Sequence, residues 1–244
     1  MKRLLVLALV IAGLLVLNGC VAETSEQPGE TEETVSASGV YEAIEPLLSA
    51  ELEASYTVNI AGIVTHAFSD KFYLQDLDGS AAVKVELSEG WGLPPVNAKV
   101  VVEGNLRKYL DTYKDANLVV YKVEDATYEV LEENIEINPV EIDETFFATD
   151  NLYKRYVLVN ATGTVYKYET GSYPRLYLEI PINDSTRSVI VFSYNNDVKA
   201  WINENAENLV GKELYVIGNW NWDYYRKGWQ ITVRTINDIP SASE

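Results

Sequence analysis

The chain has 244 residues, with 37 acidic and 19 basic side chains, one cysteine, one histidine and a formal net charge of −18. A lone cysteine excludes an internal disulfide or a thiolate metal cluster, and the acidic excess opposes tight, nonspecific binding of a phosphate backbone. Tyrosine is frequent, at 17, and with Val, Ile and Thr it favours strands.

The N-terminus begins Met1-Lys2-Arg3, continues as an apolar run from Leu4 to Leu17, and ends Asn18-Gly19-Cys20. A charged start and a short apolar core ending in small residues make a secretory signal over residues 1–19. The core is too short to span a bilayer, which takes about 20 residues. Leu17-Asn18-Gly19-Cys20 resembles the lipobox of prokaryotic lipoproteins. That resemblance implies a diacylglycerol on Cys20, cleavage just before it, and a lipid-anchored protein at the extracytoplasmic face of an envelope membrane. Residues 20–40 then read as a disordered acidic tether: 21–40 holds five glutamates and no base.

Residues 40–54 read as a short helical segment interrupted or begun at Pro46. Strands follow at about 56–66, 71–77, 81–87, 98–108 and 117–129, each an apolar alternation bounded by turn residues. Asp78-Gly79 signals a tight hairpin. The second half repeats the order, with strands at about 156–168, 175–180 and 187–193, a helix at 197–209 stopped by Gly211, and strands at 212–222 and 227–236. The acid is uneven: residues 41–149 carry 21 acidic and 7 basic side chains, and residues 150–243 carry 10 of each.

The halves also align by residue. Val58-Asn59-Ile60-Ala61-Gly62 matches Val159-Asn160-Ala161-Thr162-Gly163, Phe72-Tyr73-Leu74-Gln75 matches Leu176-Tyr177-Leu178-Glu179, and Val102-Glu103-Gly104 matches Val216-Ile217-Gly218. A period near 100 residues means two whole domains. Five strands, with a loop or helix between the third and fourth, make the OB-fold plan. The expected fold is mainly β: two tandem OB-fold-like five-stranded barrels, the first at 41–136 with its N-terminal helical segment and the second at 137–240. Gly62 and Gly163 mark the bend or bulge of the first strand in each copy.

Gly62-Ile63-Val64-Thr65, Phe72-Tyr73-Leu74-Gln75-Asp76-Leu77-Asp78-Gly79 and Val102-Glu103-Gly104 resemble the OB-fold modules attached to bacterial extracellular nucleases, as does the join Asn138-Pro139-Val140-Glu141-Ile142. The hydrolase domain of that family has no counterpart in this chain. The resemblance covers roughly residues 56–238 and implies at most a tendency to bind nucleic acid.

No catalytic motif is present. His66 has no Gly-x-Ser-x-Gly elbow to serve, and it reads as a histidine at a loop edge. Asp76 and Asp78 lack the remaining ligands of a calcium loop. No cofactor, metal or catalytic residue is assigned, and the chain reads as a binding protein rather than an enzyme.

The candidate ligand contacts are aromatic. Trp220, Trp222, Tyr224, Tyr225, Arg226, Lys227 and Trp229 belong to the last hairpin, and Tyr109 and Tyr113 to the corresponding loop of the first copy. Loops between the fourth and fifth strands commonly carry the ligand in OB folds, and aromatic faces stack on bases or sugars. Trp220 and Trp222 share strand parity with Leu214 and Val216, and Trp229 with Ile231 and Val233, so core and ligand contact are both open for them. Trp91 reads as a barrel lid and Trp201 as the anchor of its helix. Single-stranded nucleic acid and oligosaccharide are the candidate ligands. A structural lipoprotein binding an envelope protein, or a hydrolase of unknown type, are the alternatives.

Overall fold

Alternating apolar side chains close into a barrel in each half of the chain. The computed structural model describes residues 34–148 and 151–240, so the expected signal peptide, Cys20 and the tether up to residue 33 lie outside the described residues. The first half contains β1 (Val35–Ala37), α1 (Val40–Leu48), β2 (Ser55–Phe68), β3 (Lys71–Gln75), β4 (Ala82–Leu87), β5 (Lys99–Asp111) and β6 (Leu118–Glu132). The second contains β7 (Val140–Glu141), β8 (Leu158–Glu169), β9 (Arg175–Ile182), β10 (Ser185–Phe192), α2 (Asn196–Leu209), β11 (Glu213–Asp223) and β12 (Gly228–Thr232).

The pairing orders are β2-β3-β4-β6-β5, with β5 closing on β2, and β8-β9-β10-β12-β11, with β11 closing on β8. In each ring only the third and fifth strands run parallel. Both are closed five-stranded OB-fold barrels. Each gains a short parallel lead-in strand at an equivalent position, Val35 opposite Val58 and Val140 opposite Val159. β1 falls inside the expected tether, so ordered chain starts before residue 40.

The bulge of each first strand lies three residues beyond its glycine, at Thr65 and at Tyr166. The glycines serve close strand approach instead. A Cβ on Gly163 would lie 2.8 Å from the Glu179 carbonyl oxygen, and one on Gly218 2.5 Å from that of Thr232. Asp78-Gly79 does not form a two-residue hairpin. The Gly79 N–H bonds the Asp76 carbonyl, and the Asp76 N–H reaches that of Ala81, making a longer loop. Gly79 sits at φ +69°, which glycine tolerates.

That longer loop frees Asp76 to cap α1. Its carboxylate accepts from the backbone N–H of Val40 at 2.5 Å and of Tyr41 at 2.9 Å. At the other end the buried Lys108 ammonium donates to the carbonyls of Leu47, Leu48 and Ala50. Both helix ends are satisfied from outside, and Val40, Ala43, Ile44 and Leu47 seal the first core. These contacts explain why α1 runs through Pro46, whose place inside a helix costs about 3 kcal/mol. On the second barrel, α2 buries Val198, Ile202 and Ala206.

Candidate ligand-binding groove

The outer face of β9 and β10, turned away from the barrel core, places Tyr177 opposite Ile190 and Arg175 opposite Phe192, and parallel pairing sets Gln230 of β12 beside Ile190; all five are buried. Strand alternation turns these side chains away from the core. Tyr177, Ile190 and Phe192 form an apolar cluster separate from the two barrel cores. Beside it lies a groove of about 630 Å³, lined by Tyr173, Arg175, Phe192, Tyr194, Trp222, Asp223, Tyr224, Tyr225, Arg226, Gln230 and, from the first barrel, Tyr113.

The hairpin turn at 224–227 is shaped by Asp223, whose Oδ1 accepts from the N–H of Tyr225 (2.8 Å) and of Arg226 (2.9 Å). Its other oxygen accepts from Arg175 Nε at 2.9 Å. Arg175 also donates to the Tyr173 carbonyl at 2.8 Å and lies 5.0 Å over the Phe192 ring. Arg226 reaches back across the groove mouth to Glu169, with Nε–Oε1 at 3.2 Å and Nη2–Oε2 at 2.6 Å. The Tyr177 hydroxyl donates to the same Oε1 at 2.7 Å. Hydrogen bonds from Arg226 hold the Glu169 carboxyl down at about 2, so the latch stays ionised at neutral pH.

Four tyrosines carry the exposed aromatic surface: Tyr113 (51 %), Tyr173 (61 %), Tyr194 (69 %) and Tyr225 (63 %). The Tyr113 and Tyr225 hydroxyls meet at 3.1 Å, and the Lys114 ammonium lies over both rings. The turns joining the fourth and fifth strands of the two barrels therefore converge on one rim. In the first barrel's turn, Lys114, Asp115 and Asn117 all sit at positive φ. Such strain persists only where contacts enforce it.

Of the residues singled out from sequence, Trp222, Tyr224, Tyr225, Arg226 and Tyr113 line the groove. Trp220 does not: it is fully buried, stacked on Trp229 at 5.1 Å and edge-on to Phe146 and Phe147. Trp229 is half-buried against the same core. Lys227 is exposed at the turn tip, outside the lining. Tyr109 is not in a loop, because β5 continues to Asp111; it lies half-buried beneath Lys122. Tyr224 is tied into the barrel junction rather than free in the turn. Its hydroxyl donates to Asp111 and accepts from Arg155 at 2.7 Å. Trp91 is exposed and leans on Tyr128 instead of closing the barrel, while Trp201 packs on the second core.

The residues missed in the sequence are Tyr173, Arg175, Phe192, Tyr194, Asp223 and Gln230. Arg175 and Phe192 carry the outward parity of β9 and β10, a signal present in the sequence. Tyr173 and Tyr194 flank strand ends, and only the fold brings them together.

Among the described residues, the first barrel has no equivalent open face, because the second barrel packs over it. Tyr73 of β3 stacks on Tyr156 at 4.5 Å, and Gln75 Oε1 accepts the Leu158 N–H at 2.6 Å. Tyr73, Ala82 and Val120 pack within the second barrel's apolar cluster. The buried Arg155 guanidinium lies between the Tyr156 and Tyr224 rings and donates to Asn221 at 3.0 Å. Beyond this contact, Lys71, Lys84 and Lys122 all pair with Glu86. His66 does not stand at a loop edge. It is half-buried in β2 between Phe68 and Tyr73, and burial lowers it to about 4.

Among the described residues, no cluster of three His, Cys, Asp or Glu side chains is placed to hold a metal ion, and no helix is long and apolar enough to cross a membrane. No family model and no curated protein matches the chain. Among solved structures, fission yeast Pot1 with single-stranded DNA is similar at 12 % identity over 77 % of this chain and 82 % of that one, with a TM-score of 0.31. The single-stranded DNA-binding protein of Thermus aquaticus is similar at 18 % identity over 76 % and 92 %, with a TM-score of 0.24. At TM-scores this low the likeness carries no argument about this chain, whose topology stands on its own strand pairings.

Proposed function

We propose that this chain is a non-catalytic binding protein, anchored by lipid on Cys20 at the extracytoplasmic face of a membrane, that holds a flexible chain molecule in the groove of its second barrel. The observation that carries the reading is the groove itself: four exposed tyrosines, drawn from four separate segments and both barrels, above an apolar floor. Aromatic faces presented in series bind successive rings of a polymer by stacking, each worth about 1–3 kcal/mol. The first barrel acts as a support. It contributes Tyr113 to the rim while its own face is occupied by the second barrel. The two carboxylates at the groove, Asp223 and Glu169, are each held by a guanidinium, which suits recognition.

Binding is to be measured on the full chain in detergent by the quenching of tryptophan emission, Trp222 being in the lining, with uncharged hexasaccharides and a thymidine oligonucleotide as probes. The double variant Tyr194→Ala, Tyr225→Ala is expected to bind at least about tenfold more weakly than the parent. Tyr215→Ala, exposed on β11 outside the groove, is expected to bind as the parent does. Equal affinity of the parent and the double variant for every probe would remove the groove as the ligand site.

The anchor has its own test. In a bacterium that processes lipoproteins, the parent chain is expected to sediment with the membranes and to incorporate labelled fatty acid. Cys20→Ser is expected to lose the label. Equal labelling of the two would refute the assignment of Cys20.

A further inference from the structure

Resting on the groove as the ligand site, we infer that the ligand is an uncharged oligosaccharide. The groove is aromatic but electrically spent. Arg175 is engaged by Asp223 and by the Tyr173 carbonyl, and Arg226 is engaged twice by Glu169. The Lys114 ammonium lies on the faces of Tyr113 and Tyr225, and Lys227 stands outside the lining. A polyanion would therefore have to displace a carboxylate from a guanidinium and then sit beside the carboxylate it displaced, in a chain whose formal charge is already −18.

An uncharged saccharide meets none of this opposition. The faces of its rings can lie on Tyr173, Tyr194 and Tyr225, as OB barrels permit for oligosaccharides as well as nucleotides. Its hydroxyls need donors and acceptors of no net charge. The groove offers the amide of Gln230, the neutral ion pairs Arg175–Asp223 and Arg226–Glu169, and the hydroxyls of Tyr173 and Tyr194, which make no hydrogen bond among the described residues.

The test compares cellohexaose, maltohexaose and chitohexaose with a thymidine oligonucleotide, again on the full chain in detergent, at about 50 mM and about 200 mM salt. At least one hexasaccharide is expected to bind, with an affinity that changes less than about twofold between the two salts, because no counterion is released. The oligonucleotide is expected to bind at least about tenfold more weakly than that saccharide. Tyr215→Ala, outside the lining, is expected to leave saccharide affinity unchanged. If the oligonucleotide binds more tightly and weakens steeply with salt, the saccharide assignment is overturned. In that case the groove reading survives provided Tyr194→Ala, Tyr225→Ala abolishes oligonucleotide binding. Failure of all three hexasaccharides to bind also overturns the assignment.

Discussion

Trp220→Ala is expected to lower the stability of the chain by about 4 kcal/mol, while Tyr225→Ala, five residues away in the same hairpin, changes it by less than about 0.5 kcal/mol. Trp220 is fully buried and touches Trp229, Phe146 and Phe147. Truncating it removes both the transfer energy of the indole and the packing of three rings around the vacated volume. Phe146 and Phe147 belong to the segment that joins the barrels, so the loss extends beyond one hairpin. Tyr225 is 63 % exposed, and among the described residues its hydroxyl meets only that of Tyr113. Urea unfolding followed by circular dichroism measures both variants. A Trp220→Ala midpoint equal to that of the parent would mean that the indole is not the core of the second barrel. A large loss in Tyr225→Ala would mean that the rim contact is structural.

The second large effect concerns acid. His66 titrates at about 4 in the fold and at 6.5 when free, because burial disfavours the imidazolium and Arg234 adds to that. Above pH 6.5 both folded and unfolded chains carry a neutral imidazole, and His66 contributes no pH dependence. Between 6.5 and about 4 the unfolded chain takes up a proton that the folded chain refuses, so stability falls as pH falls. Below about 4 both forms are protonated, and the whole penalty, about 3 kcal/mol, has accrued. Carboxylates paired in the fold lose stability in the same direction, so the measurement is a difference between two chains. The parent is expected to lose about 3 kcal/mol more than His66→Gln between pH 7 and pH 4. Parallel stability curves would show that the imidazole stays solvated at the barrel junction. His66 lies where β2 of the first barrel meets the second, and Arg234 donates there to the Thr65 carbonyl at 2.9 Å. Acid should therefore loosen the junction first.

The barrels were legible because a barrel wall writes itself into sequence with period two. Val58, Ile60, Val100 and Val102 point inward and their neighbours do not. The duplication doubled that signal and fixed the strand order. β1 and β7 were missed because lead-in strands of two or three residues carry no period. α1 was read as a segment broken or begun at Pro46 because its two caps, Asp76 and Lys108, lie 30 or more positions away in the chain.

The groove was half visible. The sequence alone determined two five-stranded barrels, an aromatic hairpin tip in the second, a matching tip in the first, and an acidic balance unsuited to phosphate. Those properties are local, set by the order of apolar, turn and charged residues along each strand. Only the tertiary structure decided which barrel is open, because that depends on Tyr73 meeting Tyr156 across 83 residues of chain. The same holds for Tyr113 beside Tyr225 and for the pairing of Arg175 and Arg226 with Asp223 and Glu169. A side chain's partners, and with them its free charge, are set by distances in space that its neighbours in sequence do not encode.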